Sequence, residues 1–411
     1  MLASLAGIEA NRVLLTQSNS APPVVFVIAG EASGDNLAAK LMAALRDATG
    51  ERVQFAGIGG PAMTAQGLNS LFPMRDLSLM GMTEILPHLP RLIRRLRTTT
   101  EAIEQIQPSV IVTVDSPGFS FRVAKRVRPL GIPLIHYVAP QLWAWRPGRG
   151  HKLTDIIDHM LALLPFEPDF FKSYGIPCTF VGHPVIEAGF EKGNAQRFRQ
   201  RHGIANTSPI VAVLPGSRRT EVHRLLPVFG HALHLLSDRH HGLTAAIPVI
   251  ESVAESVRQA VAQWRIPAIL ITETTEKIDA FASSAAAITK SGTVTLELAI
   301  AGVPMVVSYK VSPLTAMLVG RLLKVDDVAL VNLLAGKRVV PEFLQDRCTP
   351  EAIAGAVSDL LTDRAKSDAL RKGLQEAVSR LSGRTSSPSV RAAEIVLSAI
   401  ETRNKETAIV V

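Results

Sequence analysis

The hydrophobic positions of the chain fall into short continuous runs that alternate with amphipathic segments. The runs at 24–29 and 210–214 contain no polar residue, which is typical of strands buried on both faces of a parallel sheet. Strands that alternate with helical segments predict an α/β protein with parallel sheets. The predicted strands are 24–29, 53–58, 109–114, 132–138, 160–164 and 178–181 in the first half, and 210–214, 244–249, 268–272, 285–289 and 305–309 in the second.

The two halves repeat this architecture on either side of a polar stretch at about 185–208. A chain of 411 residues is also long for one hydrophobic core. The pattern therefore predicts two doubly wound, Rossmann-like domains. The predicted divisions are an N-terminal extension at 1–22, a first domain at 23–190, a second domain at 191–345 and a C-terminal helical segment at 346–411.

A glycine turn in the second half has the features of a diphosphate site. Gly216 and Ser217 follow the strand at 210–214, and Arg218 then opens a predicted helix. Backbone N–H groups and the helix dipole favour an anion at a helix N-terminus, and an arginine adds bidentate hydrogen bonds.

A second turn lies in the next strand–helix unit. Ser291, Gly292 and Thr293 follow the run at 285–289, and Glu297 comes about one helical turn later. The turn suits a phosphate, and the carboxylate suits the two hydroxyls of a ribose. A helix cap followed by a surface glutamate is the alternative interpretation of this unit alone.

In the first half, Asp115 directly follows the strand at 109–114 and precedes Pro117. A carboxylate at the carboxyl end of a central strand points toward the place where α/β proteins bind ligands. A helix N-cap is the competing role for Asp115. The loops at 30–35 and 59–61 are either ligand loops or tight turns.

Two further segments each allow two interpretations. Trp143 and Trp145, followed by Arg146 and Arg149, form either a sugar platform beside a phosphate clamp or a packing cluster.

In the segment at 77–97, prolines predict a helix that begins only at Pro90. Its leucine and isoleucine stripe beside four arginines fits either a membrane-surface contact or a core-facing helix with a basic solvated face: Leu89, Leu92, Ile93, Leu96, Arg91, Arg94, Arg95 and Arg97.

The composition limits the classes of binding partner that we expect. The net charge is +8, which suits phosphorylated substrates or an anionic membrane surface. Aromatic residues make up 5% of the chain and nucleic-acid motifs are lacking, so we expect no nucleic-acid partner. The two cysteines, Cys178 and Cys348, exclude a cysteine-rich zinc site. We expect no metal site, no cofactor and no membrane-spanning segment.

Taken together in order, the motifs of the chain resemble those of the lipid-A-disaccharide synthase family, which has the GT-B glycosyltransferase fold. The motifs are 29–35, 114–117, 136–138, 143–146, 163–167, 182–184, 214–218, 291–293 with Glu297, and 332–336.

The resemblance implies two domains that face a cleft, with C-terminal helices that cross back to the first domain. It also implies an inverting, metal-independent transfer from UDP-2,3-diacylglucosamine to the 6-hydroxyl of 2,3-diacylglucosamine 1-phosphate. We expect a peripheral enzyme on the cytoplasmic face of the bacterial inner membrane, contacting it through about 77–97, and a homodimer is one implied assembly. Asp115 is the expected general base. The expected UDP-site residues are Gly216, Ser217, Arg218, Ser291, Gly292, Thr293, Glu297 and Asn332.

One position departs from the family pattern. Gly118 stands where the family often carries a second aspartate, so Asp115 lacks a carboxylate partner in this motif and Glu31 is the next candidate base. Two other interpretations remain open. One is a different UDP-sugar enzyme of the same fold, such as a UDP-N-acetylglucosamine 2-epimerase or an undecaprenyl-linked transferase, and the other is a basic nucleotide- or membrane-binding scaffold without activity.

Overall fold

The computed structural model describes residues 21–77, 82–145, 147–312, 327–381 and 386–410. The predicted extension at 1–22 lies almost wholly outside these ranges. The strands are β1 Val24–Ala29, β2 Gln54–Ile58, β3 Val110–Val114, β4 Leu134–Tyr137, β5 His159–Ala162, β6 Cys178–Phe180, β7 Ile210–Leu214, β8 Thr244–Pro248, β9 Ala268–Ile271, β10 Ala286–Lys290, β11 Met305–Tyr309 and β12 Glu342–Leu344. The α-helices are α1 Ala32–Thr49, α2 Pro61–Ala65, α3 Met82–Ile106, α4 Pro117–Val127, α5 Leu142–Trp145, α6 Glu167–Lys172, α7 Ala195–Arg201, α8 Arg219–Ser237, α9 Glu251–Val261, α10 Thr274–Ser283, α11 Val294–Ile300, α12 Leu330–Ala335, α13 Pro350–Thr362, α14 Arg364–Ser379 and α15 Pro388–Val410.

The chain divides into two compact units. The first extends to Pro184 and also includes the C-terminal segment from residue 383, while the second runs from Val185 to residue 382. The predicted C-terminal segment at 346–411 is therefore shared between them. Helices α13 and α14 belong to the second unit, and α15 returns to the first.

The first unit is built on a parallel six-stranded sheet with the order β2-β1-β3-β4-β5-β6. Alternate residues of a strand point to opposite faces, and both faces are covered here. Val25 and Val27 pack in one cluster with residues of α1 and α15, such as Leu41 and Val396. Phe26 packs in a second cluster with residues of α3 and α4. The apolar run of β1 is therefore buried on both sides, as predicted.

The second unit has a parallel six-stranded sheet with the order β12-β11-β10-β7-β8-β9. Strands β7 and β10 are neighbours in it. Their carboxyl ends therefore lie side by side, and the two predicted phosphate turns follow these ends. Strand β12 was not predicted, because three residues are too few to show a period.

Helix α3 corrects one expectation. The predicted helix began at Pro90, but the helix begins at Met82 and includes both Pro87 and Pro90. A proline inside a helix removes one hydrogen bond and costs roughly 3 kcal/mol. The core contacts of Leu96 and Ile103 farther along the same helix offset this cost.

Candidate active site

Asp115 lies at the carboxyl edge of the first sheet, beside the loop that follows β1. Strands β1 and β3 are paired with Ala29 opposite Val114. The two following loops touch, because a Cβ atom added to Gly30 would lie 2.4 Å from the Oγ of Ser116. The absence of a side chain at residue 30 thus lets the loop carrying Glu31 approach the loop carrying Asp115.

The backbone around Asp115 has an uncommon conformation. Asp115 and Ser116 have φ values of 51° and 47°, so two successive non-glycine residues are left-handed, at roughly 1–2 kcal/mol each. Hydrogen bonds fix this arrangement: the Asp115 N–H donates to the Tyr137 carbonyl at 2.9 Å, and the Ser120 hydroxyl donates to the Asp115 carbonyl at 2.9 Å. Strained backbone of this kind concentrates at functional sites.

The side chain of Asp115 does not cap helix α4. The N-cap residue is Ser116, and its own side chain makes no capping hydrogen bond. The capping interpretation of Asp115 is therefore wrong. Burial raises the pKa of the Asp115 carboxyl above its ordinary value, and the Ser116 backbone N–H partly opposes this shift. A raised pKa makes a carboxylate a stronger proton acceptor.

The loop at 59–61 is held by Asp35, which was predicted to end the loop at 30–35 but lies in helix α1. Asp35 is buried and accepts the backbone N–H groups of Gly60, Ala62 and Met63 at 2.8–3.1 Å. Its carboxylate thereby satisfies the N-terminus of α2, which explains that loop as a tight, internally capped turn.

Trp143 belongs to a packing cluster. Its indole N–H donates to the buried carboxyl group of Glu167 at 3.2 Å. Its ring packs edge-to-face against Phe166, with 4.9 Å between the ring centroids. Glu167 also accepts the backbone N–H groups of Leu163 and Leu164. Burial raises the pKa of Glu167 to about 7. Arg146, a candidate phosphate ligand, lies outside the described residues.

In the second unit, Glu221 joins the two predicted phosphate turns. Its Oε2 accepts the backbone N–H groups of Ser217 and Arg218 at 3.2 and 3.4 Å. Its Oε1 lies 3.0 Å from the Nζ of Lys290, the last residue of β10, and 3.4 Å from the Arg218 guanidinium. Gly216, Ser217 and Arg218 are thus brought next to the turn that begins at Lys290.

That second turn is held by the strand beside it. The Ser291 N–H donates to the Ser308 carbonyl at 3.1 Å, and the Ser291 hydroxyl donates to the Val328 carbonyl at 2.6 Å. Gly292 follows, and Thr293 is the N-cap residue of α11. Glu297 therefore lies in the first turn of α11.

Glu297, the predicted ribose ligand, projects from α11 toward α10. Its Oε2 lies 2.5 Å from the Nζ of Lys277. Lys277 was not singled out from the sequence, because a lysine twenty residues away carries no pattern that links it to a glutamate.

Asn332, an expected UDP-site residue, lies on helix α12 and is only 1% exposed. Its amide nitrogen donates to the Val340 carbonyl and to Glu342, and its amide oxygen accepts the N–H groups of Val339 and Val340. The amide is thus fully used within the fold. Asn332 is connected to the turn at Ser291 only indirectly. It donates to Glu342, which also accepts the Val328 N–H, and the Val328 carbonyl in turn accepts the Ser291 hydroxyl.

The four arginines of helix α3 have two different environments. Arg91 and Arg95 bind the buried carboxylate of Asp76 at 2.5 and 2.7 Å. Arg94 and Arg97 are exposed. Leu96 is buried and Leu92 partly so, but two other members of the predicted stripe face solvent: Leu89 is 48% and Ile93 55% exposed. Leu79 and Met80 lie outside the described residues.

Two kinds of feature are absent from the described part of the chain. No group of three or more histidine, cysteine, aspartate or glutamate side chains converges there as metal ligands do. Likewise, none of the helices in that part has the length and apolar character needed to cross a membrane.

Structures with the same fold include a UDP-GlcNAc 2-epimerase from Neisseria meningitidis. It superposes with a TM-score of 0.58 and 12% identity over 92% of this chain and 99% of that one. MurG from Acinetobacter baumannii superposes with a TM-score of 0.54 and 14% identity over 93% and 100%. At these identities the likeness establishes the GT-B fold and leaves the reaction open.

Sequence comparison is more specific. The model of the lipid-A-disaccharide synthetase family matches residues 25–396. A lipid-A-disaccharide synthase of Rhodospirillum centenum is 50% identical over 384 residues, covering 93% of this chain and 96% of that protein. A second, from Gluconobacter oxydans, is 46% identical over 91% of this chain and 90% of its own length. The chain belongs to the lipid-A-disaccharide synthase family.

Proposed function

We propose that the protein transfers 2,3-diacylglucosamine from its UDP derivative to the 6-hydroxyl of 2,3-diacylglucosamine 1-phosphate. The products are the β-1,6-linked tetraacyl disaccharide 1-phosphate and UDP. The observation that carries the proposal is the family match over residues 25–396. The epimerases share only the fold, and no feature of the described residues favours their reaction over this transfer.

In the proposed reaction Asp115 is the general base. Its carboxylate takes the proton of the acceptor 6-hydroxyl while the oxygen forms a bond to the anomeric carbon of the donor. The bond from that carbon to the UDP oxygen breaks at the same time, and attack from the opposite side inverts the configuration. The raised pKa of Asp115 and its fixed backbone support this role.

Positive charge in the second unit supports the departure of UDP. Arg218 and Lys290 lie at the ends of neighbouring strands and share Glu221 as a partner. Their charges, with the backbone N–H groups of the Gly216–Ser217 turn, stabilise the developing negative charge on the diphosphate. This arrangement supplies the role that a metal ion plays in other transferases, so we propose a metal-independent reaction.

We further propose that helix α3 brings the enzyme to the cytoplasmic face of the inner membrane, where acylated substrates reside. The exposed Leu89 and Ile93 enter the interface, and Arg94 and Arg97 meet anionic head groups. The support is the exposure of two large apolar side chains beside exposed arginines.

The direct test is an assay of the full chain with both diacylated substrates in excess EDTA. We expect UDP release and a product with the mass of the tetraacyl disaccharide 1-phosphate. UDP-N-acetylglucosamine serves as the control donor. Turnover of that soluble sugar nucleotide alone would instead support an epimerase, and activity that requires added magnesium would contradict the metal-independent mechanism.

A further inference from the structure

Glu221 binds the groups that a diphosphate would need. Its two carboxylate oxygens accept the N–H groups of Ser217 and Arg218 and lie 3.4 Å from the Arg218 guanidinium and 3.0 Å from Lys290. Backbone N–H groups at a helix N-terminus together with two cations are the donors that recognise phosphate oxygens. A carboxylate of the chain itself therefore makes the contacts expected of the substrate's diphosphate.

Gly216 makes this contact possible. Its φ is 119°, a value that L-residues rarely adopt. A Cβ atom at this position would lie only 2.4 Å from the Oε2 of Glu221. The glycine thus leaves room for one anionic oxygen directly above the turn.

Two other carboxylates at helix starts provide a contrast. Asp35 at α2 and Glu342 at α12 also accept backbone N–H groups, but both are buried. Glu221 is partly exposed and additionally binds two cations at the ends of neighbouring strands. A carboxylate that reaches solvent can exchange its partners for water, whereas a buried one would be left without hydrogen bonds.

We infer that Glu221 sets the affinity for UDP by competing with the diphosphate for the same donors. This rests on the proposed function, which assigns the diphosphate to this turn. A carboxylate and a diphosphate repel each other when they share two cations at contact distance, so the side chain of Glu221 rotates away as UDP or its sugar derivative binds. Its return helps to expel UDP after transfer.

The test compares the affinities of the full chain and three variants for UDP and for inorganic pyrophosphate by calorimetry. Glu221→Gln keeps an oxygen for the capping hydrogen bonds, which glutamine supports at this helix position, but removes the competing charge. Glu221→Asp keeps the charge but is too short to span the same partners. Glu255→Gln removes an exposed carboxylate elsewhere in the same unit, and so controls for the change in net charge.

We expect both Glu221 variants to bind UDP about three- to tenfold more tightly, the range given by release of two partly exposed ion pairs. Pyrophosphate should show the same gain, and Glu255→Gln should show none. Unchanged or weaker binding of UDP by both Glu221 variants would overturn the inference and make Glu221 a support of the site. The proposed function is tested separately by measuring disaccharide synthesis with the unaltered protein. That activity does not depend on whether the Glu221 variants bind UDP more tightly or more weakly.

Discussion

The Nζ of Lys277 lies 2.5 Å from Oε2 of Glu297, so the predicted ribose ligand is tethered to a neighbouring helix. The same ammonium group faces the rings of Phe190 and Phe281 at 5.3 and 5.5 Å. One carboxylate oxygen of Glu297 is thereby fixed, which directs the other toward any hydroxyl donor. Lys277 thus acts as a positioning residue for Glu297.

Replacing Lys277 with methionine should weaken UDP binding about fivefold, as expected for loss of a partly buried ion pair. Methionine retains the length of the side chain and its contacts with the two phenylalanines. Pyrophosphate has no ribose, so its affinity should be unchanged. Calorimetric titration with both ligands measures the difference.

Two controls make this prediction specific. Lys277→Arg keeps the charge and should restore most of the UDP affinity. In a Glu297→Gln background, Lys277→Met should have little further effect, because the interaction partner is already altered. Equal weakening of UDP and pyrophosphate would show that Lys277 supports the unit as a whole rather than the ribose contact.

The exposed apolar residues of α3 give a test of membrane contact. Leu89→Ser combined with Ile93→Ser should lower partitioning onto anionic vesicles by about thirtyfold, since each half-exposed side chain loses on the order of 1 kcal/mol of burial in the interface. Arg94→Ser should reduce partitioning about fivefold, and less at high salt. Vesicle sedimentation measures both effects.

Ile250 is 51% exposed in the second unit, so Ile250→Ser is the matched control and should change nothing. Arg91 and Arg95 are unsuitable for this test because their loss would leave the buried Asp76 unpaired. If the Leu89/Ile93 variant partitions like the unaltered protein, α3 does not contact the membrane.

Glu167 should make stability depend on pH. Its pKa is raised by burial from 4.5 to about 7, so between these values the folded protein binds a proton that the unfolded chain releases. Stability therefore falls as pH rises through this window. Glu167→Gln mimics the protonated group, so its melting temperature relative to the unaltered protein should rise steadily across the window. Parallel curves of melting temperature against pH would contradict this account.

Much of the architecture follows from the sequence, because strands buried on both faces leave uninterrupted apolar runs. The sequence also places Asp115 and the two turns at Gly216 and Ser291 at the carboxyl ends of their strands, and parallel strands bring these ends to one edge; their roles in binding and catalysis stay predictions. The partners of these residues were not predictable. Lys277 is twenty positions from Glu297 and on another helix, and their proximity depends on tertiary packing.

Tertiary packing also explains the wrong start predicted for α3 and the contacts of Asn332, which the sequence did not indicate. Proline residues predicted a break in α3 that core contacts overcame. Asn332 resembles a ligand residue in sequence, yet its amide is consumed by the backbone of Val339 and Val340. The partners of the Asn332 amide lie at residues 339–342, outside the motif at 332–336. The motif alone therefore does not show whether this amide is exposed or buried.

The most direct test of the proposed chemistry is the transfer rate of Asp115→Asn, measured with its UDP affinity and melting temperature. Asparagine has nearly the same volume and tolerates positive φ, so the fold and UDP binding should remain close to those of the unaltered protein. Loss of the general base should lower turnover by roughly 10²–10⁴-fold, whereas Glu31→Gln should retain far more activity. A near-normal rate in Asp115→Asn would contradict the assignment of Asp115 as the base.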